Sequence, residues 1–125
     1  MKKNIFVLGG AGFIGSNFIN HLIKKKDINI INIDKISYSS NVKFIKIYKN
    51  KKYFFYRTDI SNKKTILKIL NKHKPYRVIN FAAYTHVDNS IKNEKKYIEN
   101  NILSLQIFLD TLKIFLKKRK IQNFK

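Results

Sequence analysis

Apolar residues follow two rhythms along this chain. Ile5 to Leu8 form an unbroken apolar run that stops at two glycines, as in a strand buried on both faces. From Phe13 to about Lys25, residues Phe13, Ile14, Phe18, Ile19, Leu22 and Ile23 fall on one helical stripe. Ile28–Asp34, rich in isoleucine, and Tyr53–Arg57, rich in aromatics, are predicted as the second and third strands. Between them, Lys35–Asn50 is irregular, with room for one helical turn. Ser61 is placed as the N-cap of a helix to about Lys72 that carries Ile66, Leu67, Ile69 and Leu70, with Pro75 beyond its end. Arg77–Ala82 is the fourth strand. A long helix from about Asn93 to Arg119 follows, and its apolar residues exceed one face. It is therefore predicted to pack on the sheet and on something else. The alternation of strands and helices predicts an α/β fold with a parallel sheet and right-handed connections.

Composition narrows the function. With 125 residues, the chain is one domain at most. It has no cysteine, so disulfides and thiolate zinc sites are excluded, and His21, His73 and His86 lack ligand spacing. No metal site is expected. The net charge of +20 invites a nucleic-acid reading. However, only three of the 27 basic residues are arginine, the residue suited to bidentate phosphate and base contacts, and the lysines are spread along the whole chain. Lys, Ile and Asn, all encoded by AT-rich codons, supply 60 of the 125 residues, so codon bias explains the charge better. No specific nucleic-acid partner is expected. The four apolar residues after Asn4 are too few for a signal peptide, and no small-residue cleavage site follows. The 15-residue stretch Ile102–Leu116 contains Ser104, Gln106, Asp110, Thr111 and Lys113, and is too short and polar to span a bilayer. A cytoplasmic protein without a membrane partner is the expectation.

The chemistry is concentrated after the first strand. All four glycines of the chain lie in Gly9-Gly10-Ala11-Gly12-Phe13-Ile14-Gly15. Gly10, Gly12 and Gly15 give G-x-G-x-x-G, and Gly9, Gly12 and Gly15 recur every third residue. Glycines here allow a tight turn, let a pyrophosphate approach the backbone and let the helix pack closely, while the helix N-terminus faces the phosphate charge. The position between a predicted strand and helix is the context that gives the motif weight. Asp34 ends the second strand, 22 residues after Gly12, where a carboxylate would accept from the ribose hydroxyls of NAD and repel the 2′-phosphate of NADP. Lys35 beside it complicates that preference, and NAD remains the cofactor predicted. Asp59-Ile60 follows the third strand, where Asp59 could accept from the adenine amino group and Ile60 pack on the ring. The small residues of Phe81-Ala82-Ala83 would let a cofactor lie close to the sheet, with Thr85, His86 and Asp88 in the next loop. The predicted fold is thus a Rossmann-type doubly wound parallel sheet, ending after about four strands.

These residues, with Ile33-Asp34-Lys35-Ile36-Ser37-Tyr38, Ala82-Ala83-Tyr84-Thr85-His86-Val87-Asp88-Asn89-Ser90 and Tyr97-Ile98-Glu99-Asn100-Asn101-Ile102, resemble the dTDP-glucose 4,6-dehydratases. These belong to the extended short-chain dehydrogenase/reductases. The resemblance is collinear from Asn4 to the end. It implies that Gly9, Gly12, Phe13, Ile14 and Gly15 hold the pyrophosphate of NAD. Asp34, Lys35, Ile36 and Ser37 would line the adenosine ribose, and Asp59 and Ile60 would contact adenine. Phe81, Ala82, Ala83 and Thr85 would line the path to the nicotinamide. Thr85 and His86 would face the sugar, and Asn100 stands where the family usually has Thr beside the cofactor. Leu8 replaces the usual Thr before the glycines, and Ser104-Leu105 replaces a common Gly-Thr.

The family oxidises C4 of a nucleotide-linked hexose with NAD, eliminates water across C5–C6 and returns the hydride to C6. Its Tyr-x-x-x-Lys pair and its Asp-Glu pair lie after the fifth strand, which Ile121–Lys125 would only begin. One Tyr-x-x-x-Lys occurs, Tyr48 to Lys52, but it sits between strands two and three, and so many lysines make a chance match ordinary. The expectation is therefore one NAD-binding domain over 1–125, with no catalytic residue and with the substrate domain absent. A chain ending there is also expected to be marginally stable and prone to associate. The resemblance implies a homodimer acting on dTDP-glucose for the full-length enzyme. A non-catalytic NAD-binding module and a piece of another nucleotide-sugar epimerase or dehydratase are the alternatives.

Overall fold

The computed structural model describes residues 2–41, 43, 45 and 50–119. Tyr48 and the start of the expected fifth strand lie outside them. Four strands, β1 (Lys3–Leu8), β2 (Ile28–Asp34), β3 (Tyr53–Arg57) and β4 (Arg77–Asn80), form one parallel sheet in the order β3-β2-β1-β4. The order reverses beside β1, which is the central strand of a Rossmann-type sheet. β1 runs in register with β2 from Lys3↔Ile28 to Leu8↔Ile33, and with β4 from Ile5↔Arg77 to Leu8↔Asn80.

Because side chains alternate along a strand, each strand feeds two cores. Phe6 and Leu8 of β1 join Ile31 and Ile33 of β2 on one face. There they pack against Ile66, Ile69 and Leu70 of helix α2 (Lys63–His73), and against Phe108, Leu112 and Phe115 of helix α5 (Ser104–Arg119). Ile5, Val7 and Ile30 point the other way, onto Ile19 of helix α1 (Phe13–Leu22) and Ile23 just beyond it. Asn32 is buried on that face without loss, since it accepts from Gly10 N–H at 3.1 Å and donates to Tyr53 Oη at 2.9 Å.

Three sequence expectations are corrected. The cap of α2 is Asn62, whose side chain accepts from Thr65 N–H, while the Ser61 hydroxyl is committed to Asp59. The loop after β4 contains a short helix α3 (Val87–Lys92), which has no buried residue and so left no apolar stripe to read. The expected long helix is three segments: α4 (Glu94–Ile98), capped by Asn93, a π turn (Glu99–Leu103), and α5. The π turn widens the helix by one residue, a distortion that recurs at functional sites.

His73 closes α2 within a ring of aromatics, its centroid 4.9 Å from Phe54 and 5.6 Å from Tyr56, with Nε2 2.7 Å from Tyr56 Oη. Burial, and then the nearby Lys72 ammonium, hold its imidazole below the ordinary value of 6.5. The folded state therefore binds fewer protons here than the unfolded chain between the depressed and the ordinary value. This contribution to stability is complete above pH 6.5 and is lost as pH falls through the folded value. Urea midpoints are expected to drop from pH 7.5 to 5.5, and His73→Gln is expected to flatten that slope. An unchanged slope in the variant would assign the pH dependence elsewhere.

Candidate functional site

A crevice lies at the carboxyl ends of β1 and β4, at the point where the strand order reverses. Open α/β sheets bind their ligands at such points. β1 leaves the sheet through Gly9, whose φ of +73° lies in the left-handed region. A Cβ built there would stand 2.5 Å from Ala82 N and 2.6 Å from Ala82 Cα, so the two strand exits touch backbone to backbone. A Cβ on Gly15 would strike Gly9 O, so this glycine packs the first turn of α1 onto the loop. Gly12 differs from both. Its φ of −75° suits any residue, and a Cβ there would meet only Gly9 O at 3.4 Å. The fold does not need a glycine at 12, and the room it leaves opens into the crevice, which Gly12 lines at the N-terminus of α1.

Asp34 ends β2 with its carboxylate almost fully buried. Oδ2 accepts from Ala11 N–H at 2.9 Å, and Oδ1 from Ile36 N–H at 2.7 Å. One side chain thus ties the glycine loop to the turn after β2, where Ile36 adopts a φ of +59°. Each carboxylate oxygen has two lone-pair directions, so these bonds leave Asp34 able to accept from a ligand.

Lys35 reaches across to Asp59 at the end of β3, with Nζ 3.1 Å from Oδ2, and also donates to Asn100 of the π turn. Burial pushes the Asp59 carboxyl up. Ser61 N–H and Oγ, both on Oδ1, and the Lys35 ammonium outweigh this and hold it below its ordinary value. For Lys35 burial acts downward, and Asp59 outweighs it upward. The pair is therefore ionised across the neutral range. Beside it, the Asn101 amide accepts from Tyr84 N–H at 2.8 Å and donates to Tyr84 O at 2.9 Å. This two-point grip fixes the segment after β4 to the π turn.

Of the residues singled out by sequence, Gly9, Gly12, Asp34, Lys35, Ser37, Asp59, Ile60, Phe81, Ala82, Ala83 and Asn100 line the crevice. Phe13 and Ile14 begin α1 but point outward, 75% and 66% exposed. Gly15 and Ile36 shape the loops behind the lining, and Thr85 and His86 stand exposed beyond its rim. The lining also includes Ile33, Ser40 and Tyr84, which sequence reasoning had not assigned to it. Ser40 carries a readable signal in retrospect, since Ser40 Oγ lies 3.4 Å from Asp34 Oδ1, as a hydroxyl six residues past a strand-end Asp can. Among the described residues, no group of three His, Cys, Asp or Glu side chains could hold a metal ion, and no helix is long and apolar enough to cross a membrane.

Residues 6–124 match the pattern of a known family, described as GDP-mannose 4,6 dehydratase. The chain belongs to the GDP-mannose 4,6-dehydratase family. Within this dehydratase family, it is 41% identical over 121 residues to the dTDP-D-glucose 4,6-dehydratase of Dictyostelium discoideum, covering 95% of this chain and 28% of the relative. It also resembles the dTDP-glucose 4,6-dehydratase of Bacillus anthracis solved in complex with NAD. That match has a TM-score of 0.73 at 33% identity and covers 94% of this chain and 34% of that one. The UDP-glucose 4-epimerase of Thermotoga maritima, solved with UDP-glucose, superposes with a TM-score of 0.79 at 29% identity, covering 90% and 34%. The chain thus spans about a third of the length of these dehydratases and epimerases.

Proposed function

We infer that this chain is the NAD-binding part of a dTDP-glucose 4,6-dehydratase. The observation that carries the reading is the glycine at 12, which the fold does not require and which brings the N-terminus of α1 to the crevice wall. A pyrophosphate suits that helix N-terminus on charge. Gly9, Gly12 and Gly15 would form its cradle, with Phe13 and Ile14 presenting the first N–H groups of α1. Asp34 would accept from the adenosine ribose between Lys35, Ile36 and Ser37. Asp59 and Ile60 would meet adenine, with Asn100 beside it, and Phe81, Ala82, Ala83 and Thr85 would line the way to the nicotinamide. When bound, NAD supplies the hydride acceptor, and these residues bind and orient it.

The geometry also bears on the choice between NAD and NADP. The Lys35 ammonium, next to Asp34 in the chain, is committed to Asp59 and Asn100 rather than left open to a 2′-phosphate. The 41%-identical relative supports a dehydratase acting on dTDP-glucose. The likeness to an epimerase supports the second reading, another nucleotide-sugar enzyme of the same fold.

Thr85 and His86 are proposed to face the sugar in a longer, cytoplasmic, homodimeric protein. Exposed Ile98, Ile102 and Leu109 along α4, the π turn and α5 support the dimer. The 125 residues alone are proposed to bind without turnover. Asp59 is held by Lys35 and Ser61, so it is not poised to move a substrate proton. Calorimetric titration is expected to show NAD binding at least about tenfold tighter than NADP, a difference of about 1.4 kcal/mol. The same preparation is expected to leave dTDP-glucose unconsumed. Equal affinity for the two cofactors would remove the role given to Asp34, and sustained turnover would refute the non-catalytic reading.

A further inference from the structure

A second cavity, of about 250 Å³, shares Tyr84 with the crevice. Tyr38, Tyr84 and Tyr97 form its wall, with ring centroids 5.7 Å apart for Tyr38–Tyr84 and 5.4 Å for Tyr84–Tyr97. The Tyr38 and Tyr97 hydroxyls meet at 3.3 Å, which links the two outer rings. The bond to Tyr38 pushes the Tyr97 phenol up to about 12, so it keeps its proton. Lys92 and Lys96 supply the charge, Asn89 and Asn93 supply amides, and no carboxylate is among the lining residues. Lys96 Nζ also lies 5.7 Å from the Tyr84 ring centroid.

Two exposed ammonium groups with no acid in the same cavity call for an anion. Tyrosine rings lining a cavity call for a planar ring, since stacking on tyrosine is tolerant of which base is stacked. The volume of about 250 Å³ is on the order of one ring and its phosphate. The geometry points to a mononucleotide site here, built by Tyr38, Tyr84, Tyr97, Lys92 and Lys96 and separate from the crevice. The base stacks in the tyrosine corner and the phosphate lies between the two lysines. Since Tyr84 serves both cavities and Asn101 grips its backbone, occupancy of one site can be felt at the other.

The test is titration of the 125-residue chain with AMP, followed by tyrosine fluorescence, with adenosine and inorganic phosphate as separate probes. AMP is expected to bind saturably, and each half-ligand more weakly. Measured in the Gly12→Val background, where the crevice is blocked, Lys92→Gln/Lys96→Gln, both exposed, is expected to weaken AMP by at least about tenfold, and Tyr97→Leu by a similar factor. Gly12→Val, which fills the crevice, is expected to leave AMP binding in place, with circular dichroism confirming that each variant is folded. Failure of NAD to bind the unaltered chain would remove the cofactor reading and leave this one standing. The inference is overturned by any one of four results. These are no saturable AMP binding, inorganic phosphate bound as tightly as AMP, binding lost in Gly12→Val, or binding unmoved in the double lysine variant.

Discussion

Gly12→Val is expected to leave the chain folded and to remove its affinity for NAD. The backbone at 12, with φ −75° and ψ 173°, is extended, a conformation that β-branched residues favour. The new Cβ would meet nothing closer than 3.4 Å within the protein. Losing glycine as the cap of α1 costs about 1 kcal/mol or less. The valine methyls would instead occupy the space proposed for the pyrophosphate, at the helix N-terminus where backbone N–H groups and the dipole act on it. A weakening of at least about 100-fold is expected, equivalent to about 2.7 kcal/mol. Calorimetry with NAD and a thermal melt of the same sample read both halves. Retained affinity would show that the cofactor avoids Gly12, and a lost melt would show that the glycine is structural after all.

Gly9→Val should do the opposite and abolish the fold. At φ +73° a β-branched residue is strained by about 1–3 kcal/mol. Its Cβ would also press into the backbone of Phe81 and Ala82, at 2.5–2.7 Å. Those atoms are the exit of β4, bonded through Phe81 N–H to Leu8 O at 2.8 Å, and have no free direction to move. Relieving such overpacking costs about 1–3 kcal/mol more. Against a total stability of about 5–15 kcal/mol, and nearer the lower end for a small domain, the sum is enough to unfold much of the population. Far-ultraviolet circular dichroism and a urea titration would register it. A variant that melts like the parent would mean that β1 and β4 can part without loss, and the account of the crevice would fall with it.

The contrast between two glycines three residues apart marks what was legible in sequence. The strand, the glycine loop and α1 were readable because periodicity and motif agree there. Asp34 was readable as a strand-end carboxylate, but its work in tying Ala11 to Ile36 was not, since the partners are backbone N–H groups that leave no trace in residue identity. The cap of α2 was misplaced because Ser61 and Asn62 are both good caps, and only the three-dimensional position of Asp59 decides which is free. Tyr84 was passed over as a lining residue because nothing local tells an aromatic on a surface segment from one at a cavity wall. Lys35 looked like a hindrance to choosing NAD, and its partners, 24 and 65 residues away, remove the difficulty.

The π turn at Glu99–Leu103 lets one helix obey two angular settings. Below it, α5 must aim Phe108, Thr111, Leu112 and Phe115 at the core. Within it, Asn100 and Asn101 must aim at Lys35 and Tyr84. Each residue of a regular α-helix turns the chain by about 100°, so removing one residue here would rotate one set away from its partners by about that angle. The extra residue acts as a phase shifter between core and crevice. A single deletion in this segment would leave every side chain near the crevice present and dial its amides to the wrong bearing.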